Sequence, residues 1–362
     1  MKQELIDFLE LRTNQSVEEY TFWDKYHEIQ DNYEEKTIED LKSKLWGGGE
    51  IQPKLILVDK KKLMDDWRNL IRYTSSFKNV STPGRSLKYL VLDENSQKYI
   101  GALTVASDFG NLGVRDTKIG WNDDNKYKDK KLNNLACGQA IIPIQPFGFN
   151  YLGGKLLAML ITSKKVRDDW KEKYGDILVG MTTTSLYGTQ CQYNRLPNFK
   201  KMGKTTGKMS IRPPREMINQ WIKYFEENGH EKYLEYREKA DNNRTYKQKY
   251  FTDDILGLMI KEIGWKRKQL EHGFKRGVYF CSFYDNTEEF LRNEITEDEL
   301  IMKDFFKKDL KPIMEWWKPR SDKRIEKLIQ ENRQMSKLQF WDCMYGLTYE
   351  EAKEQFLGRL NR

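Results

Sequence analysis

The stretch IIPIQPFGFNYLGGKLLAML, residues 141–160, decides the fold. An apolar β-rich run meets a glycine pair, which opens onto a helix with apolar residues spaced three and four apart. A helix start carries unpaired backbone N–H groups and partial positive charge, and glycine lets an anion approach that backbone closely. Gly153 and Gly154, with Lys155 adding charge, are therefore candidate anion ligands. The same pair also suits plain strand–helix packing, and composition alone leaves both readings open. The stretch is neither a P-loop nor a three-glycine dinucleotide fingerprint.

Outward from this corner the chain reads as an α/β protein with helical ends. KLILVD (54–59) predicts a strand, and LKYLVLDENSQKYIGALTVASD (87–108) a β-hairpin around DENSQ. Residues 109–131 are polar and aperiodic and predict a long loop. Strand 139–146, helix 152–175 and strand 177–185 follow, an order that implies a right-handed crossover. Residues 1–49 predict a helical segment, 50–215 the α/β core, and 216–362 a mainly helical region with one candidate strand at GVYFCSFY.

Composition narrows the classes. Hydrophobic content of 38% excludes a disordered chain, and no apolar run spans a bilayer. The charged amphipathic start MKQELIDFLELR has no signal-peptide core, and the four scattered cysteines read as buried free thiols, so a cytoplasmic protein is expected. Three isolated histidines offer no metal spacing, so no metal is expected. The net charge is +8, and residues 199–215 carry Lys200, Lys201, Lys204, Lys208, Arg212 and Arg215 without one acid. Such a run suits phosphates and DNA, or is simply a solvated basic loop.

The element order resembles the acyl-CoA-dependent N-acetyltransferase superfamily. Its members hold pyrophosphate at the helix after their fourth strand, at a Gln or Arg, two residues, Gly, any residue, then Gly or Ala. Here NYLGGK puts Asn150, Gly153 and Lys155 at those places. The resemblance implies a twisted mixed sheet and an acyl-CoA cofactor at Asn150, Gly153, Gly154 and Lys155. For acyl transfer, Asp108 or Asp116 would be the base, and Tyr187 or Tyr193 the acid. Arg115 pairs with Asp116 in an equally simple ion-pair reading.

More specifically, LGVRDTKIGW (112–121), NNLACGQAIIPIQP (133–146), LLAMLITSKKVRDDWKEKYG (156–175) and SLYGTQCQYNRLPNFKKMGKTTG (185–207) resemble the Druantia DruA family. That family, found in anti-phage defence, transposon and phage genomes, implies work near DNA or with a protein partner in phage–host conflict. A fainter likeness to the DNA-modifying Mom protein of phage Mu implies base modification. Arg115 and Trp121 join Lys200, Lys201, Lys204, Lys208 and Arg212 as expected nucleic-acid contacts. A non-catalytic binder that keeps the fold is the alternative expectation.

Overall fold

The structure, a computed structural model, describes residues 1–78, 84–188, 191–205, 209–336 and 340–358. It divides into two units. The first comprises Met1–Tyr20 and Gly207–Lys275, the second Thr21–Thr206 and Arg276–Arg362.

The second unit is built on a seven-stranded mixed sheet. Its strands are β1 (Pro53–Leu57), β2 (Ser86–Asp93), β3 (Lys98–Ser107), β4 (Leu135–Pro143), β5 (Gly180–Ser185), β6 (Phe199–Lys204) and β9 (Gly277–Ser282). They lie in the order β1-β2-β3-β4-β5-β9-β6. The predicted hairpin is β2–β3, registered through Tyr89↔Leu103 and Leu90↔Ala102. Asp93 closes its turn by accepting from the backbone N–H and hydroxyl of Ser96, the local bonding for which aspartate is favoured in turns. β3 is almost wholly buried, which explains why it reads as a continuous apolar run rather than an alternating one.

The corner sits where the sheet changes sense. β4 runs antiparallel to β3, with one extra residue, Gln139, between Gly138 (opposite Val105) and Ala140 (opposite Thr104). It then runs parallel to β5, but only over Leu135–Gly138 against Gly180–Thr183. Past Gly138 the two strands part. The expected helix 152–175 is two helices, Gly153–Leu160 and Lys164–Tyr174. Between them the Thr162 hydroxyl donates to the Met159 carbonyl, the local competition by which threonine interrupts a helix. Gly175 ends the second helix with φ 80°.

One element departs from expectation, and the candidate strand takes an interior place in the sheet. The loop 109–131 contains a helix, Gly113–Ile119. GVYFCSFY contains β9, an interior strand hydrogen-bonded on both sides, to β5 and to β6.

The first unit is helical, with Lys2–Asn14, Arg215–Glu227, Glu231–Asn242, Arg244–Lys249 and Phe251–Glu262. A two-stranded ribbon joins β7 (Met209–Ser210) to β8 (Glu271–His272). Leu5, Leu9, Trp221, Phe225, Tyr233, Ile255 and Met259 form its core. Helices also flank the sheet of the second unit, among them Lys61–Thr74 and Lys311–Gln330. The molecule is therefore α/β with helical terminal parts, as expected. No described helix is long and apolar enough to cross a membrane.

Candidate functional site

The glycine corner is interior. Helix Gly153–Leu160 is buried at every position but Lys155, so it is apolar all round, as a core helix must be. A side chain begun at Gly153 would stand 2.5 Å from the Phe147 ring. One begun at Gly154 would collide with the Gln192 amide oxygen. The Leu152 carbonyl already accepts the backbone N–H of Lys155 and of Leu156. From outside, Trp317 of helix Lys311–Gln330 donates its indole N–H to the Tyr151 carbonyl at 3.0 Å.

The remaining expected cofactor ligands are spoken for. Asn150 is buried and brackets the backbone of Met335, donating to its carbonyl and accepting its N–H. Lys155 donates to the carbonyls of Asn194 (2.6 Å) and Gln192 (3.3 Å). Burial lowers its pKa below the ordinary lysine value, with Cys191 opposing and Arg195 adding to the shift. Gln192 also reaches across the parting of β4 and β5 to donate to the Ile141 carbonyl. These residues do not fit an acyl-CoA diphosphate: the glycines accommodate Phe147 and Gln192, and the lysine is committed to two carbonyls.

The expected catalytic carboxylates belong instead to a buried ionic network. Arg115 has no exposed surface, and neither has the Asp108 side chain. Their ion pair measures 2.8 Å, and Arg115 meets Asp116 at 2.6 Å. Asp108 also accepts from the Thr182 hydroxyl on β5 (2.6 Å) and from the Phe109 N–H (2.8 Å). Lys126 completes the set on Asp116 at 2.7 Å. Burial pushes the Asp108 carboxyl above the usual range, with Arg115 and Thr182 pulling against it. Burial also pushes Asp116 upward, but hydrogen bonds from Lys126 and Arg115 outweigh it and leave the pKa lowered.

With both its oxygens engaged and its side chain fully buried, the Asp108 carboxylate has no face for an incoming amine. Arg115, expected on a nucleic-acid surface, is likewise interior. Trp121 is half-buried, donates to the Leu291 carbonyl at 2.6 Å, and lies 5.3 Å from the Arg115 guanidinium. Its role here is anchorage of the loop.

The two tyrosines separate. Tyr193 is buried, its hydroxyl accepting from Gln192, and burial raises its pKa. Tyr187 is half-buried, with its hydroxyl 3.1 Å from that of Thr21 and donating to Ser76.

The basic run divides between the units. Lys200, Lys201 and Lys204 are exposed on β6, the edge strand beyond β9. Arg212 belongs to the first unit and is paired with Asp253 at 2.8 Å. Lys208 lies outside the described residues. None of the four cysteines is in a disulfide; Cys137 and Cys281 are buried as expected, whereas Cys191 is half-buried and Cys343 exposed. Among the described residues no cluster of three or more His, Cys, Asp or Glu could hold a metal ion.

Sequence reading missed Gln192 and Phe147, which fill the corner. It also missed Phe109 and Tyr127, aromatic residues 38% and 46% exposed on the loop above the ionic network. The one available signal was the placement of both among polar and glycine residues, where no core periodicity claims them.

Fold and site together define a mixed α/β protein in which a buried ionic network braces an aromatic-bearing loop, on a sheet with a lysine-rich edge. The chain belongs to the Druantia protein DruA family, whose sequence profile matches residues 1–293. It is 28% identical over 234 residues to the Druantia protein DruA of Escherichia coli (strain UMEA 4076-1), covering 60% of this chain and 55% of that one. The chain thus spans about half the length of this curated relative. No solved structure matches it.

Proposed function

We propose that this chain is the DNA-binding component of an anti-phage defence system, on a sheet of acetyltransferase-like strand order whose donor corner is closed by its own side chains. Family membership supports the defence setting. The observation that carries DNA binding is β6, where Lys200, Lys201 and Lys204 stand exposed on an edge strand, and none of them forms an ion pair among the described residues. Phosphates bound there would release counterions from DNA, so affinity should fall steeply with salt. Lysines also guard edge strands against unwanted pairing, so charge alone does not distinguish a binding edge from a protected one.

Salt titration does. In fluorescence anisotropy with a 30-base-pair duplex, log affinity against log salt has a slope of about −0.9 per phosphate contact. Replacing Lys200, Lys201 and Lys204 together by Ala is expected to flatten that slope by roughly two to three units. An unchanged slope in the triple variant sinks the assignment.

Acyl transfer is the second reading, favoured by one observation. β4 and β5 run parallel and part after Gly138, beside the bulged Gln139. That reading requires Gln192 and Phe147 to leave the corner first.

A further inference from the structure

We propose that Phe109 and Tyr127 form a base-stacking platform that holds single-stranded nucleic acid over the sheet face that carries Lys200 of β6. The proposal rests on the DNA-binding reading and adds what that reading leaves open, namely which part of the nucleic acid is recognised and where. Among the described residues nine large apolar side chains are exposed, and two of them share this one loop. The Tyr127 hydroxyl donates to the Gly110 carbonyl at 2.9 Å, which ties the tyrosine to the backbone one residue past Phe109.

The loop is held from below. Arg115 donates through Nη2 to the Phe109 carbonyl at 2.9 Å, grips Asp116 through Nη2 and Nε, and meets Asp108 through Nη1. Lys126, next to Tyr127 in the chain, is fixed on Asp116 and lies 5.3 Å from the Tyr127 ring. Such bracing fixes the Phe109 backbone and the Tyr127 side chain before a ligand arrives, which lowers the entropy lost on stacking.

The same loop reaches the lysine edge. On helix Gly113–Ile119, Val114 lies 3.3 Å from where a side chain on Gly203 of β6 would begin. Lys118, exposed and one turn further on, shares the Val114 side of that helix. The register places Lys200, opposite Phe280, on the sheet face this helix covers, and Lys201 and Lys204, opposite Tyr279 and Gly277, on the other. Lys118 and Lys200 are the cations on the side of the rings, and cations with exposed rings suit single strands, charge tracking the backbone and rings taking bases. A duplex keeps its bases stacked inside and offers the rings nothing.

The test separates bases from phosphates. Binding of a mixed-sequence 20-nucleotide DNA strand is compared with that of an abasic strand of equal length and charge. Wild type is expected to prefer the strand with bases. Phe109→Ala and Tyr127→Ala should each weaken binding about five- to a hundred-fold without changing the salt slope, and their double variant should abolish the preference. Tyr127→Phe keeps the ring and loses only the hydroxyl's bonds to the Gly110 carbonyl and the Asn111 side chain, so it should retain most of the affinity.

Equal binding of both strands by wild type overturns the platform, as does unchanged affinity in the double variant. If the base preference persists while the lysine triple variant keeps its slope, the platform stands and the β6 phosphate assignment falls. If wild type binds neither strand nor the duplex, both fall together.

Discussion

Arg115 shows how differently one side chain reads in sequence and in space. In VRD its neighbour Asp116 is visible as an ion-pair partner, and the structure keeps that pair at 2.6 Å. Asp108, its second partner, was legible only as a candidate base, because nothing local says that the end of β3 and helix Gly113–Ile119 converge. Removing one member of a buried ion pair leaves the other charged and unsolvated, at a cost of about 3–5 kcal/mol. Arg115→Ala should therefore lower chemical-denaturation stability by that order, read from the denaturant midpoint. Arg115→Lys should recover part of it, since a point charge cannot reproduce the planar fork that serves Asp108, Asp116 and the Phe109 carbonyl. A loss below 1 kcal/mol in Arg115→Ala would mean that the network is looser than its distances indicate.

His272 yields a second residue-scale prediction. It is buried in the first unit, stacked on Phe274 with centroids 3.4 Å apart. Burial lowers its pKa below 6.5, Arg12 lowers it further, and the backbone of Gln15 and Arg12 partly opposes them. A histidine whose folded pKa is depressed is held neutral by the fold, so the fold must be worked against to protonate it. Its contribution is whole above the unfolded value near 6.5 and is lost as pH falls below that toward the folded value. Thermal unfolding between pH 8 and pH 5 should show wild type losing more stability on acidification than His272→Gln. Parallel curves for the two proteins would refute the assignment.

At the scale of elements, legibility followed how locally each one is specified. The β2–β3 hairpin was readable because two β-rich runs flank a turn whose Asp93 bonds within four residues. The helix predicted over 152–175 was readable in its ends, but not in its break at Thr162, which depends on one hydroxyl finding the Met159 carbonyl. β6 was hardest. FKKMGK has the composition of a solvated loop, and it is a strand because β9 supplies its partners from Phe199↔Cys281 to Lys204↔Gly277. β9 is legible as a candidate strand, but its place between β5 and β6 is not, since that depends on residues up to nearly a hundred positions earlier. The candidate site shared this fate. Its cations and carboxylates could be picked from sequence, while their sorting into an interior network and an exposed edge required the sheet order.

At the scale of the whole molecule, the glycine corner decides between binding protein and transferase. The sheet order and the parting of β4 from β5 are compatible with a donor groove, whereas Phe147, Gln192 and Trp317 use the space for packing. Ligand binding to the folded state stabilises it by roughly 2.7 kcal/mol at a hundred times the dissociation constant, so a resident donor would be visible as a clear rise in melting temperature. Acetyl-CoA at millimolar concentration is expected to leave wild type unmoved. Gly153→Glu cannot serve as the control, because its side chain would start against Phe147 and disturb the fold whatever the ligand. Gln192→Ala is the better variant: it clears the space over Gly154 and forfeits only the hydrogen bonds to the Ile141 carbonyl and the Tyr193 hydroxyl. A rise confined to Gln192→Ala would mark a groove that is closed by its own glutamine yet still shaped for the donor. A rise in wild type would mean that the corner opens readily in solution, and acyl transfer would then replace DNA binding alone as the leading account of this chain.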